Sequence, residues 1–202
     1  DRSFSDITIA IQGVGAVGLE LCKLLKQDGA KIIAADISDK NLNQARMICG
    51  DDLVIVSPDE IYAVACDVFS PCAMGGILND ETIPRLKASI IAGAANNQLL
   101  YSHHDGKLAS RDITYVPDYV INAGGVICVG YEYFKKSGYN PQNFDIARAV
   151  MVAHVEKIGV TVEHILKESM QSDINTGEAS DSLAEGRFLQ GAYSVSYTHL
   201  RA

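Results

Sequence analysis

The sequence predicts an α/β fold: a doubly wound, mostly parallel sheet with helices on both faces and a helical extension at the C-terminal end. Three observations predict it. Short apolar runs alternate with helical patterns from residue 7 to residue 116. The first run is followed by GVGAVG, a glycine turn placed to open a helix. Small Gly- and Asn-rich clusters recur directly after three later runs, where loops leave the C-terminal edge of a parallel sheet.

The first strand carries Ile7, Ile9 and Ile11. In the turn after it, Gly13 permits a tight bend, Gly15 leaves room for a pyrophosphate against bare backbone, and Gly18 lets the helix pack close to the strand. That helix presents free N–H groups and its positive dipole end to the turn. The next strand closes on Asp36, whose carboxylate can accept both hydroxyls of an adenosine ribose. A 2′-phosphate would meet the same carboxylate as a like charge, and neither Ile37 nor Ser38 offers compensation, so NAD is favoured over NADP.

Asp39 can cap a helix running to about Cys49, and Leu53 to Val56 make a short strand. A brief helix over 58–63 leads to the buried strand Cys66 to Phe69. Asn79 can cap a helix DETIPRLKA with Ile83 and Leu86 on one face; Ser89 to Ala92 and Ile113 to Val116 are the next strands. The strand-end clusters are PCAMGG (71–76), GAANNQ (93–98) and PDYVINAGG (117–125), in which Asn96, Asn97 and Asn122 offer uncharged donors and acceptors suited to a carboxamide or ribose. From residue 140 onward, Ile146, Val150, Ala153, Ile158, Val162 and Ile165 recur at helical spacing and predict one amphipathic helix over 141–170. A loop follows, then a last helix capped by Thr176 or Ser180; 192–202 carry no pattern and read as a non-native tail. The expected units are a dinucleotide-binding domain over 1–139, completing helices over 140–190, and the tail over 191–202.

Composition narrows the function. A 48% apolar chain of 202 residues supports a real core, and no run reaches the roughly 18 apolar residues of a membrane span. The net charge of −8, with no basic stripe, argues against nucleic acid as a partner. Five cysteines without a CxxC are the pattern of a cytoplasmic protein rather than a disulfide framework. No metal site is expected: His103 and His104 are adjacent and read as a solvated loop, and His154 and His164 do not share a face closely. Tyr131 and Lys135 form a YxxxK that a helical face explains, and Cys72 reads as a packing residue of the rim.

GVGAVG, SPCAMGG, NDETIP, IAGAANNQL, YVPDYVINAGGVI and SLAEGRF together resemble the Rossmann-type coenzyme domain of the leucine, phenylalanine and valine dehydrogenases, within the glutamate dehydrogenase superfamily. The resemblance runs in order from about Ile7 to Phe188. It implies reversible, NAD-dependent oxidative deamination of a branched-chain or aromatic L-amino acid to a 2-oxo acid and ammonia, by a homo-oligomer. Carried over, it places Gly13, Gly15, Ala16 and Val17 on the pyrophosphate, with Gly18 behind them, and Asp36 on the adenosine ribose. Pro71, Cys72 and Ala73 fall on the adenine and ribose side, and Ala94, Ala95 and Asn96 on the nicotinamide side. Asn122 falls where the nicotinamide meets the substrate.

The family's substrate lysines and aspartate belong to a separate N-terminal domain, and no lysine here follows a glycine run. The chain opens on Asp1 directly before the first strand, so a fragment that binds coenzyme without turning over is expected. A non-catalytic nucleotide-sensing module would share the turn and the acid without needing the three clusters. A 2-hydroxy acid dehydrogenase would need a His/Arg/Glu set that this chain does not assemble.

Overall fold

The protein is described by a computed structural model over residues 2–139 and 147–198, with side chains described up to residue 189. Six strands form one sheet: β1 (Thr8–Gln12), β2 (Lys31–Ala35), β3 (Val54–Ile55), β4 (Val68–Pro71), β5 (Ile90–Ile91) and β6 (Thr114–Tyr115). Their order is β3-β2-β1-β4-β5-β6 and every pairing is parallel, as the alternation of elements predicts. A parallel pair cannot be closed by a hairpin, so each connection crosses a face of the sheet and covers it.

The two faces are built by period-two alternation along the strands. Ile9 and Ile11 of β1, with Ile32 and Ala34 of β2, meet Cys22 and Leu25 of α1 (Ala16–Gln27) and Ala45 and Cys49 of α2 (Asp39–Cys49). On the opposite face Ala10, Ala35, Phe69 and Ile91 join Ile61, Leu78, Ile83 and Leu108. The cap of α2 is Ser38, one residue earlier than the sequence suggests, because its hydroxyl accepts the Asn41 amide.

Two predicted helices are single 3₁₀ turns. The predicted helix over 80–88 shrinks to Ile83–Arg85, because Pro84 offers no N–H and the Asn79 side chain takes the amides of Glu81 and Thr82 into a local turn. The segment over 58–63 is likewise one turn, Glu60–Ala63. Conversely, α5 (Gly124–Ser137) is a full helix of which the sequence announced only the helical face of Tyr131 and Lys135, following two short helices, α3 (His104–Ala109) and α4 (Asp118–Ile121). The long helix is α6 (Arg148–Ser172); residues 141–146, including the predicted core position Ile146, lie outside the described residues. The last helix, α7 (Thr176–Thr198), is capped by the Asn175 side chain, which accepts the Glu178 amide, rather than by Thr176 or Ser180. It runs on through most of the stretch read as a patternless tail, which contains no proline to stop it.

The helical extension is fastened to the sheet at β6. Thr176 donates its hydroxyl to the Tyr115 carbonyl at 2.6 Å, and the Asp105 carboxylate accepts the Gly177 amide at 2.8 Å. Within the extension, Val155 and Ile158 of α6 close over Gly124, where α5 begins. Phe188 and Leu189 are exposed on α7, while Leu183 is half-buried.

Burial pushes the Asp105 carboxyl above its ordinary value of 3.8. The folded state therefore holds that proton more tightly than the unfolded chain, and it loses stability as pH rises from about 4 through the raised folded value. Asp105→Asn, uncharged throughout and still able to accept the Gly177 amide, is expected to melt roughly 2–4 °C higher than the parent at pH 7. That advantage should shrink as pH falls toward the ordinary carboxylate value. Melting curves at both pH values check this, and a pH-independent difference would refute it.

Candidate functional site

The glycine turn has the shape its sequence demands. Gly13 sits at φ 91° with its amide donated to the Ala35 carbonyl, and a Cβ there would lie 2.5 Å from that of Ala73. A Cβ on Gly18 would run into the Gly13 carbonyl, so α1 can approach the turn only without one. Gly15 differs: a Cβ there would meet nothing within 4 Å. Beside this open space, the amides of Ala16 and Val17 find no acceptor among the described residues. Both residues are exposed, and the helix dipole points its positive end at the same spot.

Asp36 is half-buried past the end of β2 and already has three donors. It accepts the Val14 amide at 2.8 Å on one oxygen, the Ser38 amide at 2.8 Å on the other, and the Asn41 side-chain amide at 3.3 Å on both. A carboxylate has about four acceptor directions and these contacts occupy all of them, so a ribose hydroxyl is accepted only by displacing part of the Asn41 contact. Accepting both hydroxyls of a ribose requires Asn41 to swing away. Asp36 thus buttresses the glycine turn as well as facing the place a ribose would occupy.

The strand-end clusters form one continuous rim. Cys72 donates its amide to Gln12 and lies 3.6 Å from the position of a Gly18 Cβ. Ala95 donates to the Pro71 carbonyl at 2.9 Å, and Gly93 leaves no space between itself and Pro71. Gly76 donates to the Asn97 carbonyl at 2.7 Å, and Leu78 and Leu99 form a parallel bridge between the two loops. Asn122 donates to the Asn96 side-chain oxygen at 2.6 Å and approaches the Ala94 carbonyl at 3.4 Å. Gly13, Gly18, Pro71 and Ala95 are buried under the rim, whereas Ala16, Val17, Ala73 and Asn96 are exposed and Gly15, Cys72, Ala94 and Asn122 are half-buried.

A cleft of about 570 Å³ lies over this part of the rim, lined by Ala94, Asn96, Asn97, Asp118, Asn122 and Gly125 among others. Because Asn122 donates to Asn96, the pair keeps one donor, the Asn96 amide nitrogen, and one acceptor, the Asn122 carbonyl oxygen, without a partner among the described residues. That is the complement of a primary carboxamide.

Asp118 was not singled out from the sequence, yet it holds the far half of the rim. Only 8% exposed, it accepts the Asn97 amide at 2.8 Å and the Tyr115 hydroxyl at 2.6 Å. Asn97 is thereby kept at φ 53°, a left-handed conformation asparagine tolerates. Burial, helped by the Asp118 carboxylate, pushes the Tyr115 phenol far above its ordinary value, so it stays a donor. The signal in the sequence was a lone acid inside a cluster of otherwise uncharged residues.

His103 is exposed in a turn, as the sequence suggests, but His104 is fully buried at the start of α3, and both rings lie near Asp80, which precedes His104 by 24 residues. Tyr131, half of the YxxxK, meets His154 of α6 edge-on at 6.0 Å and takes no part in the rim. Burial also raises the Cys22 thiol to about 12 and the Cys66 thiol to about 11, which makes both poor nucleophiles at neutral pH.

Comparison with known proteins follows this geometry. Residues 37–195 match the family model of the glutamate/leucine/phenylalanine/valine dehydrogenases. A leucine dehydrogenase of Bacillus cereus is 45% identical over 193 residues, 96% of this chain and 49% of the relative. An L-tryptophan dehydrogenase of Nostoc punctiforme is 39% identical over 196 residues, 96% and 52% of the two chains. The crystal structure of L-tryptophan dehydrogenase from that organism superposes with a TM-score of 0.82 at 37% identity, covering 94% of this chain and 54% of that one. A hetero-hexameric glutamate dehydrogenase from Thermus thermophilus shares the fold at 17% identity with a TM-score of 0.66, over 90% of this chain and 45% of its own. The chain spans about half the length of the curated relatives it matches. No described helix is long and apolar enough to cross a membrane.

Removing the Asp118 carboxylate leaves a buried phenol and the Asn97 amide without their acceptor. Asp118→Ala is expected to cost about 1–3 kcal/mol of stability, read as a lower urea midpoint, and Asp118→Asn less. An unchanged midpoint for Asp118→Ala would mean that the 93–98 loop holds its shape unaided.

Proposed function

The chain belongs to the glutamate/leucine/phenylalanine/valine dehydrogenase family, and from that premise we propose that it is the C-terminal coenzyme domain of an NAD-dependent amino acid dehydrogenase. The reaction would be the reversible oxidative deamination of a branched-chain or aromatic L-amino acid to a 2-oxo acid and ammonia. Relatives named for leucine, tryptophan and phenylalanine support an amino acid as substrate.

One observation carries the coenzyme reading. A dinucleotide needs an anion site at one end and a carboxamide site at the other, and the rim offers both in one continuous surface. Ala16 and Val17 supply two unanswered amides beside the empty approach at Gly15. Asn96 and Asn122 supply one donor and one acceptor, which would orient a nicotinamide carboxamide and so decide which ring face meets the substrate. Asp36 would take a hydroxyl of the adenosine ribose and repel a 2′-phosphate, which favours NAD over NADP. Bound NAD would supply the hydride acceptor for the amino acid Cα; these residues bind it, orient it and keep its ring against the cleft.

The proton on the substrate ammonium also has to leave, and general-base chemistry requires a group within hydrogen-bond reach of it. Within the described residues lining the cleft, the one ionisable carboxylate, Asp118, is occupied by Asn97 and Tyr115. The base and the substrate-binding groups would therefore come from the N-terminal domain that the family resemblance implies. This chain by itself would bind coenzyme and not turn over, and the oligomer, the substrate contacts and a cytoplasmic setting would belong to the whole protein.

Calorimetric titration with NADH, NADPH and AMP tests the reading. NADH is expected to bind more tightly than either competitor. Gly15→Ala should weaken NADH by about tenfold or more, equivalent to about 1.4 kcal/mol, because the added methyl fills the approach a diphosphate needs. The same substitution should shift stability by no more than about 0.5 kcal/mol, since it meets no protein atom. Asp36→Ala is a poorer control, because it also removes the acceptor for Val14 and Ser38. Equal affinities for AMP and NADH would sink the carboxamide assignment and favour a nucleotide sensor.

A further inference from the structure

Outside the rim, one set of metal-ligating side chains comes together among the described residues. Asp80, His103 and His104 each place a ligand atom within 4.8 Å of the other two. Asp80 Oδ1 lies 3.2 Å from His104 Nε2, and the two imidazole rings are 4.3 Å apart, centroid to centroid. Donor atoms on a tetrahedral ion with bonds of about 2.1 Å are separated by roughly 3.4 Å, so one pair already stands at ligand spacing. Asp80 and His103 are exposed, which leaves room for water in a fourth position.

The ring of His104 is held at both nitrogens. Its Nδ1 accepts the Tyr101 amide at 3.1 Å and lies 3.1 Å from the Tyr101 carbonyl, while Nε2 faces Asp80, so binding an ion through Nε2 requires the ring proton to move to Nδ1. In the tautomer where Nδ1–H donates to the Tyr101 carbonyl, the Nε2 lone pair points at the Asp80 side free of a proton. A metal-bound histidine usually donates its other nitrogen to a backbone carbonyl in this way. The Asp80 carboxylate carries the negative charge; the oxygen that faces His104 is ion-paired with Lys107, whose half-exposed side chain has to turn into solvent for an ion to take its place.

We propose that Asp80, His103 and His104 form a binding site for one divalent transition-metal ion of the zinc, cobalt and nickel class. Two imidazole nitrogens and one carboxylate suit those ions, while magnesium and calcium require an oxygen shell. The ion would cross-link the loop after β4, which carries Asp80, to the segment after β5, which carries both histidines. These are the loops already zipped by the Leu78–Leu99 bridge. The site stands apart from the coenzyme reading and does not depend on it.

The test is titration of the full chain, stripped of metal with a chelator, with zinc chloride by calorimetry and with cobalt chloride by absorption. One ion per chain is expected, with cobalt d–d bands of low-symmetry coordination and no thiolate charge-transfer band. Magnesium chloride should give no heat. His103→Ala and Asp80→Asn, both surface substitutions, should each weaken zinc by about tenfold or more, and Lys107→Ala should leave it as tight or tighter. No binding, or binding unchanged in both variants, would overturn the proposal. A thiolate band would also overturn it, pointing to the partly exposed thiols of Cys66, Cys72 and Cys128.

Discussion

The direction of the strands is the constraint on which everything else in this molecule depends. Six parallel strands put six C-terminal ends on one edge, and the connections leaving that edge have to coexist in a narrow space. The first consequence is the selection of small residues there. Gly13 against Ala73, Gly18 against the Gly13 carbonyl and Gly93 against Pro71 are contacts that an additional carbon would break. The second is that backbone amides, with no neighbouring strand to bond, need other acceptors.

Two carboxylates answer that need in parallel ways. Asp36 takes the Val14 and Ser38 amides on one side of β1, and Asp118 takes the Asn97 amide on the other side of the sheet. Each stiffens a loop that faces a different end of the rim, and each would cost the fold an unpaired polar group if removed. Only Asp36 keeps a partly exposed face, and this separates a residue that can bind a ligand from one that positions its neighbours.

The sheet was legible because its signals are local. Ile7, Ile9 and Ile11, the glycine turn, and the acid closing β2 lie within 30 residues and carry their own periodicity. Elements governed by distant contacts were not. The segment GGVICVGYEYFKKS has two adjacent glycines and several β-branched residues, a poor helix by propensity, yet it forms α5 with Val155 and Ile158 of α6 packed over its first glycine. The predicted helix after Asn79 failed for the opposite reason: local asparagine and proline chemistry overrode a favourable apolar spacing. At the rim, the rim residues were readable from the clusters, but which of them are buried was not. Asp80 meeting His104 could not be read at all, because the Leu78–Leu99 bridge that aligns their loops is a tertiary feature.

Asn122 stands where the two halves of the molecule meet. On one side its amide is held by Asn96 and Ala94 of the loop after β5. On the other, two residues along the chain, Gly124 is pinned beneath Val155 and Ile158 of α6. α6 leads directly into α7, whose first residues are fixed to β6 through Thr176 and to α3 through Asp105, with a further bond from Tyr119 to Asp181. Asn122 and the backbone around it are thus tied by a short chain of contacts to the helical layer, while Gly15 and Asp36 follow β1 and β2. The contacts that position Asn122 run on into α5 and α6, and those that fix Asp36 come from the glycine turn and the start of α2.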